Sequence, residues 1–174
     1  RFSNTYFFYR RGWKGICIDP LPGTAKLFAE WRPRDTAIEL GVSETGSRLK
    51  YYMFNEPALN TFDPIVAKER NGLRQYKVID EKQIETKPLS AILDTYMPAD
   101  QRIDILSVDV EGIDLQVLRS NDWNKYRPKY IVAECLETDL IMLLNDPIVS
   151  FLDTAGYRAY GKTVNSVIFT ERNC

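Results

Sequence analysis

The sequence contains no histidine. Chemistry that turns on an imidazole is therefore excluded: Ser-His-Asp and Cys-His nucleophiles, and metals held by His. Any proton transfer falls to a carboxylate, Lys, Tyr or Cys. Cysteine is scarce, and Cys17, Cys135 and Cys174 are odd in number, far apart and in no C-x-x-C pair. That pattern supports neither a disulfide framework nor a zinc site, and it is the one expected in a reducing cytoplasm. Long apolar runs are missing too. The longest, Leu140–Leu144, falls far short of the ~20 residues that span a bilayer. Arg1–Arg11 is aromatic and ends in two arginines; it lacks the charged start, aliphatic middle and small-residue cleavage site of a signal peptide. Neither sign of charge dominates, with 23 basic and 24 acidic residues and a net charge of −1. No bulk field holds a polyanion, so nucleic acid is not an expected partner. Repeats and low-complexity tracts are absent.

What is present is an ordinary globular mixture, 44% hydrophobic and 27% charged over 174 residues, enough for one domain, 1–174, with a sizeable core. Strand and helix signals alternate. Ser3 or Asn4 caps a helix through Tyr6–Tyr9, whose aromatics are expected mostly in the core. A strand follows at Lys14–Asp19, then a helix opened by Pro22 and carried by Ala25–Trp31. Thr36–Ser43 and Leu49–Phe54 read as strands, Pro64–Arg70 as a short helix, Tyr76–Ile79 as a strand and Ser90–Tyr96 as a helix. Ile103–Val110 is the best strand, continuous enough in β-formers to be covered on both faces. Gly112 opens a helix through Arg119. Lys129–Cys135 is another buried strand, Thr138–Leu144 and the stretch from Asp146 to Thr154 are helical, and Tyr157–Thr163 and Ser166–Glu171 are closing strands. The expected class is α/β: a Rossmann-like, mostly parallel sheet whose last strands pair antiparallel, as in methyltransferases of this architecture rather than dehydrogenases.

Ligands of such sheets bind beyond the carboxyl ends of the strands. Three strand ends carry acids there: Asp19, the segment Asp109-Val110-Glu111-Gly112, and Glu134. An acid is costly in a buried parallel sheet unless it is paired or meets a ligand. Asp19 has two readings, an acceptor for both hydroxyls of a ribose or the start of the turn with Pro20. Asp109 and Glu111, two apart, share a side if the strand continues that far, and Gly112 allows close backbone approach. The competing reading makes one of them a cap for the next helix. Glu134 is a rim acid that either meets a substrate or faces water. Tyr51 and Tyr52 have two readings, cross-strand packing first and the lining of a substrate cleft second; Asp104 is expected in a structural role, and Arg10, Arg11, Arg32 and Arg34 on the solvated surface.

Gly12–Pro22 (G-W-K-G-I-C-I-D-P-L-P), Ala58–Phe62 (A-L-N-T-F), Ile103–Leu118 (I-D-I-L-S-V-D-V-E-G-I-D-L-Q-V-L) and Arg127–Glu134 (R-P-K-Y-I-V-A-E) resemble, in order, the FkbM-type methyltransferases. Ser3–Phe8 resembles that family's first helix. The resemblance implies an S-adenosylmethionine (SAM) cofactor and methylation of hydroxyls on sugars, polysaccharides or related natural products. It implies that Asp19 binds the SAM ribose, that Gly41, Val42 and Ser43 lie near the adenine, and that Asn4 and Thr5 border the cofactor's amino-acid end. Asp109 and Glu111 would then face the methionine part and the acceptor, one serving as base. The family's first strand and its D-x-G-A-x-x-G turn would stand immediately before Arg1, so the chain as it begins is expected to be N-terminally incomplete and to bind SAM poorly alone. No metal site is expected, although the same acids are the one place where an all-oxygen, magnesium-like site could form. Two rival functions stay open: a non-catalytic Rossmann-like module that holds a nucleotide or sugar, and methyl transfer to nitrogen or carbon.

Overall fold

Short apolar runs punctuated by capped helices fold into a mixed α/β structure. The computed structural model describes residues 3–136 and 139–172; Arg1, Cys174 and the expected helix start at Thr138 lie outside them. The chain runs α1 (Tyr6–Tyr9), β1 (Ile16–Ile18), α2 (Thr24–Trp31), β2 (Thr36–Ile38), β3 (Gly41–Val42), β4 (Arg48–Phe54), a 3₁₀ turn (Pro57–Leu59), α3 (Pro64–Arg70), β5 (Val78–Lys87), α4 (Leu89–Tyr96), β6 (Ile105–Val108), α5 (Asp114–Arg119), β7 (Tyr130–Glu134), α6 (Leu140–Leu143), α7 (Pro147–Thr154), β8 (Tyr157–Lys162) and β9 (Ser166–Glu171).

Among the described residues the strands form three small sheets. β1 and β2 pair in parallel, β3–β5–β4 is mixed, and β6–β7–β9–β8 is mixed with β6 at its edge. β3–β5 and β6–β7 are parallel, whereas β4–β5, β7–β9 and β8–β9 are antiparallel. The expected antiparallel close is therefore present. The expectation of a mostly parallel sheet is corrected: parallel and antiparallel pairings are equally represented. The single strand expected over Thr36–Ser43 divides at Glu39 and Leu40, so that β2 joins β1 and β3 joins β5. β5 is ten residues long and mostly exposed, an antiparallel partner of β4 that the short expected strand at Tyr76–Ile79 misses.

The core lies between the four-stranded sheet and helices α4, α5 and α7. Ile131 and Ala133 of β7, Val167 of β9, Leu118 of α5 and Leu152 of α7 are fully enclosed, with Ile92 of α4 beside them. β6 itself is less covered than its apolar run implies: Val108 is buried, but Ile105, Leu106 and Ser107 are only half-buried. Among the described residues the strand has one partner, and its edge borders a groove of about 490 Å³ lined by Asn4, Phe8, Trp13, Ser107, Tyr130 and Val132.

Helix starts follow side-chain chemistry. Asp63 and Asp146 accept the first free amides of α3 and α7, each with Pro at the first helical position. α2 starts at Thr24, not at Pro22, because Gly23 takes φ +94° and Glu39 accepts the amides of Gly23 and Ala25. At α1, Ser3 accepts the Tyr6 amide. The helix exposes Tyr6 and Phe7 and buries Tyr9, so its aromatics are not mostly core. A four-residue helix has only one inner face, and Arg11 instead lies 3.5 Å over the Phe7 ring.

The arginines expected on the surface include a structural clasp. Arg32 pairs with Asp35 at 2.6 Å, their side chains 11% and 0% exposed. Asp35 also accepts the Gly15 amide, and Arg32 reaches the Thr5 hydroxyl at 3.0 Å. Arg34 lies 3.9 Å over the Tyr9 ring and donates to the Tyr9 carbonyl. α1 is thus tied to the β1–β2 unit by a largely buried Arg32 and an exposed Arg34.

Candidate functional site

β6 and β7 run parallel in register, with Val108 opposite Ala133. Their carboxyl ends therefore emerge side by side, and the next positions are acids. The carboxylate oxygens of Asp109, Glu111 and Glu134 all lie within 4.8 Å of one another. The convergence expected of Asp109 and Glu111 is present, but by another route. β6 ends at Val108, so strand alternation does not carry the pair. Glu111 instead takes φ +57° and Gly112 φ +115°, and this left-handed turn swings Glu111 back beside Asp109. Neither caps α5. Asp114, buried at 5% exposure, accepts the amides of Val110 and Gly112 at 3.2 Å each and staples the turn.

A second segment holds the turn from outside. Arg70, in the last turn of α3, pairs with Glu111 at 2.6 Å. The Thr61 hydroxyl donates to the Glu111 carbonyl at 2.7 Å. Gly112 packs so closely that a Cβ there would stand 2.9 Å from Val66 Cγ2.

The electrostatics follow from four acids and one cation. Burial pushes the Glu134 carboxyl up to about 7, reinforced by the charges of Glu111, Asp109 and Asp114 and opposed by Arg70. Partial withdrawal from water also raises Asp109, which is otherwise an exposed residue, and Arg70 opposes it. Burial raises Glu111, with the Arg70 hydrogen bond and charge pulling it down. Burial raises Asp114 against its two backbone donors. Carboxylates this close, one of them titrating near neutrality, readily share a proton. Their oxygens are also of the type that hard divalent cations take.

Asp19 follows β1 directly, and its Oδ1 accepts the Leu21 amide at 2.8 Å. The turn reading therefore holds for one oxygen, while Oδ2 takes no protein donor among the described residues. Burial raises its carboxyl above the usual range, and the charge of Glu39 adds to this. Tyr51 lies within electrostatic range of both Asp19 and the acid cluster. This β4 residue is 5% exposed, its phenol is raised chiefly by burial, and the charges of both Asp19 and Glu111 add to the shift. Tyr51 packs against Phe62 with centroids 4.7 Å apart and the rings tilted by 41°; Phe62 lies outside the strands, so this contact is not cross-strand packing.

The remaining candidates are more dispersed. Asn4 is exposed and donates to Ser107 Oγ at 3.2 Å, two residues before Asp109. Thr5 is engaged by Arg32. Gly41, Val42 and Ser43 are buried. Ser43 Oγ lies 2.6 Å from Thr86 Oγ1, and a Cβ on Gly41 would stand 2.7 Å from both Phe62 and Thr86 side-chain atoms. Packing alone accounts for Gly41. Arg70 and Asp114 were not singled out as site residues by the sequence; for Tyr51 a substrate-cleft role was the second reading, behind packing. Thr61 had a partial signal, since it lies in the Ala58–Phe62 motif.

With this geometry in view, comparison with known proteins is informative. The model of the Methyltransferase FkbM domain matches residues 1–159. A crystal structure of a methyltransferase FkbM from Methylobacillus flagellatus KT is similar over 89% of this chain at 16% identity and a TM-score of 0.44, and the chain spans only 36% of that chain's length. No curated protein matches the chain significantly. The domain match places the chain among the methyltransferases. It belongs to the FkbM methyltransferase family.

Proposed function

We propose that the protein transfers a methyl group from SAM to a hydroxyl of a sugar, polysaccharide or related natural product, with the acids beyond β6 and β7 on the acceptor side and Asp19 on the cofactor side. One observation carries this reading: Asp109, Glu111 and Glu134 converge within 4.8 Å at two adjacent parallel strand ends, where α/β sheets bind their ligands. Family membership supports methyl transfer, while the cofactor, acceptor and acceptor atom are our inference. The family resemblance likewise underlies our reading of 1–174 as one domain with a Rossmann-like sheet. Among the described residues no helix is long and apolar enough to cross a membrane, and we place the protein in the cytoplasm on its cysteine usage.

The residues present fit SAM. Asp19 offers a half-buried carboxylate oxygen without a protein donor, suited to a ribose hydroxyl. When bound, SAM supplies a methyl already activated by the sulfonium charge. The chain's own work is then to align the acceptor oxygen, exclude water and take one proton. Alignment of this kind contributes up to roughly 7–11 kcal/mol in ideal cases. As the acceptor oxygen gains the methyl, its proton passes to a carboxylate of the cluster. Asp109 or Glu111 is the base that carboxylate chemistry suggests at this position, and the elevated Glu134 carboxyl makes it a third candidate.

Full-length protein given methyl-labelled SAM is expected to label neutral polyhydroxyl acceptors and to leave simple amines unlabelled. Labelled amines would move the reading to N-methyl transfer. Tight binding of SAM and its demethylated product with no acceptor labelled in a broad glycan panel would make the protein a binding module.

A further inference from the structure

The turn that carries Asp109 and Glu111 is held by segment 57–70 at three points: Thr61 on the Glu111 carbonyl, Val66 against Gly112, and Arg70 on the Glu111 carboxylate. The last is the most specific. Arg70 and Glu111 are only 22% and 19% exposed, so their attraction is screened less than that of surface pairs. Arg70 lies next to a crowd of like charges. Facing Glu111 are Asp109 from its own turn, Asp114 from α5, Glu134 from β7 and Tyr51 from β4. Arg70 is the cation that opposes the elevation of Asp109, Glu111 and Glu134 alike, yet it hydrogen-bonds Glu111.

We infer that Arg70 is a positioning residue of the methyl-transfer site: by binding Glu111 as a fixed anion turned toward α3, it reserves the acceptor's proton for Glu134 and Asp109. This rests on the reading of the acid cluster as the acceptor side. It divides three similar carboxylates into two roles. Glu111 is held by a guanidinium at 2.6 Å and keeps its charge, because protonating it means breaking a charge-assisted hydrogen bond. Glu134 and Asp109 feel Arg70 only at a distance and are left to share the arriving proton. The same contact keeps Glu111 in its left-handed conformation, which only the surrounding structure maintains.

The test compares full-length wild type with Arg70→Met and Arg70→Lys. Arg70→Met is expected to lower kcat by about 10²-fold, to leave the KM for SAM unchanged and to shift the acid limb of the pH–kcat profile upward, since the lost cation no longer favours the ionised carboxylates. Arg70→Lys, which retains the charge, should recover most of the rate and return the limb. On a Glu111→Gln background, Arg70→Met should cost little more, because the partner it positions is gone. A readout independent of turnover is the carboxyl titration followed by carbon-13 NMR. The Glu111 midpoint should rise in Arg70→Met whether or not an acceptor is present. An unchanged Glu111 midpoint, or equal kcat in both variants and wild type, overturns the role of Arg70. Absence of methyl transfer in wild type with the expected midpoint rise overturns the proposed function instead, and leaves the ion pair's electrostatic role standing.

Discussion

Replacing Asp109 by Asn and Glu134 by Gln together is expected to lower kcat of the full-length protein by about 10²–10⁴-fold, the range a positioned general base contributes. Affinity for the demethylated cofactor should be retained. The two carboxylates stand at adjacent strand ends within 4.8 Å, so removing one leaves the other in place to accept the proton. The single variants should therefore lose less than the double variant. Wild type should show an acid limb near pH 7, because burial and three neighbouring acids raise Glu134 to about that value. A base works in its ionised form, so the rate falls as pH drops through that value and levels off above it. Glu134→Gln should remove this limb and leave one at lower pH. Full turnover in the double variant would show that the acceptor loses its proton elsewhere.

Asp35→Asn is expected to destabilise the fold strongly. Asp35 is 0% exposed at its side chain and pairs with an Arg32 that is 11% exposed. It also accepts the Gly15 amide at 2.8 Å and lies 3.6 Å from the Cys17 thiol. Removing one member of a buried ion pair leaves the other charge uncompensated, at a cost of about 3–5 kcal/mol. That is a large share of a total stability of roughly 5–15 kcal/mol, and corresponds to a Tm loss of roughly 6–20 °C for a domain of this size. Arg32→Met should cost at least as much, since it leaves the fully buried Asp35 carboxylate without its cation and removes the bond to Thr5. Differential scanning calorimetry on the full-length protein checks both. A loss under about 1 kcal/mol for Asp35→Asn would mean that the pair behaves as a surface pair.

The residues that the sequence revealed are those whose role is local. Proline after aspartate marked α3 and α7 to the residue, because the cap and the fixed proline dihedral act within one turn. Acids after apolar runs marked the rim, since a charge at the end of a parallel strand needs a reason. What was hidden depends on partners distant in the chain. Arg70 and Glu111 are separated by 41 positions, and nothing around Arg70 distinguishes it from any helix-end cation. β5 was missed because its ten residues are mostly polar and exposed; it is fixed by pairing with β4, a contact without a hydrophobic signature. The division of Thr36–Ser43 between two sheets was invisible for the same reason, since both halves have strand-like composition. Arg32 was misjudged because composition cannot tell a solvated guanidinium from one paired with a buried aspartate; Arg34 is exposed as expected.

The central claim is that one rim, running from Asp19 past Tyr51 to the Asp109–Glu134 cluster, receives both cofactor and acceptor. Calorimetric titration of the full-length protein and of Asp19→Ala with SAM tests it most directly. A charge-assisted hydrogen bond to a ligand hydroxyl contributes about 1.5–3 kcal/mol, so Asp19→Ala should bind SAM roughly 10–100-fold more weakly, with a Tm loss of only about a few °C for the lost Leu21 bond. Equal affinity in the two proteins would contradict the account, for the cofactor would then lie away from this rim.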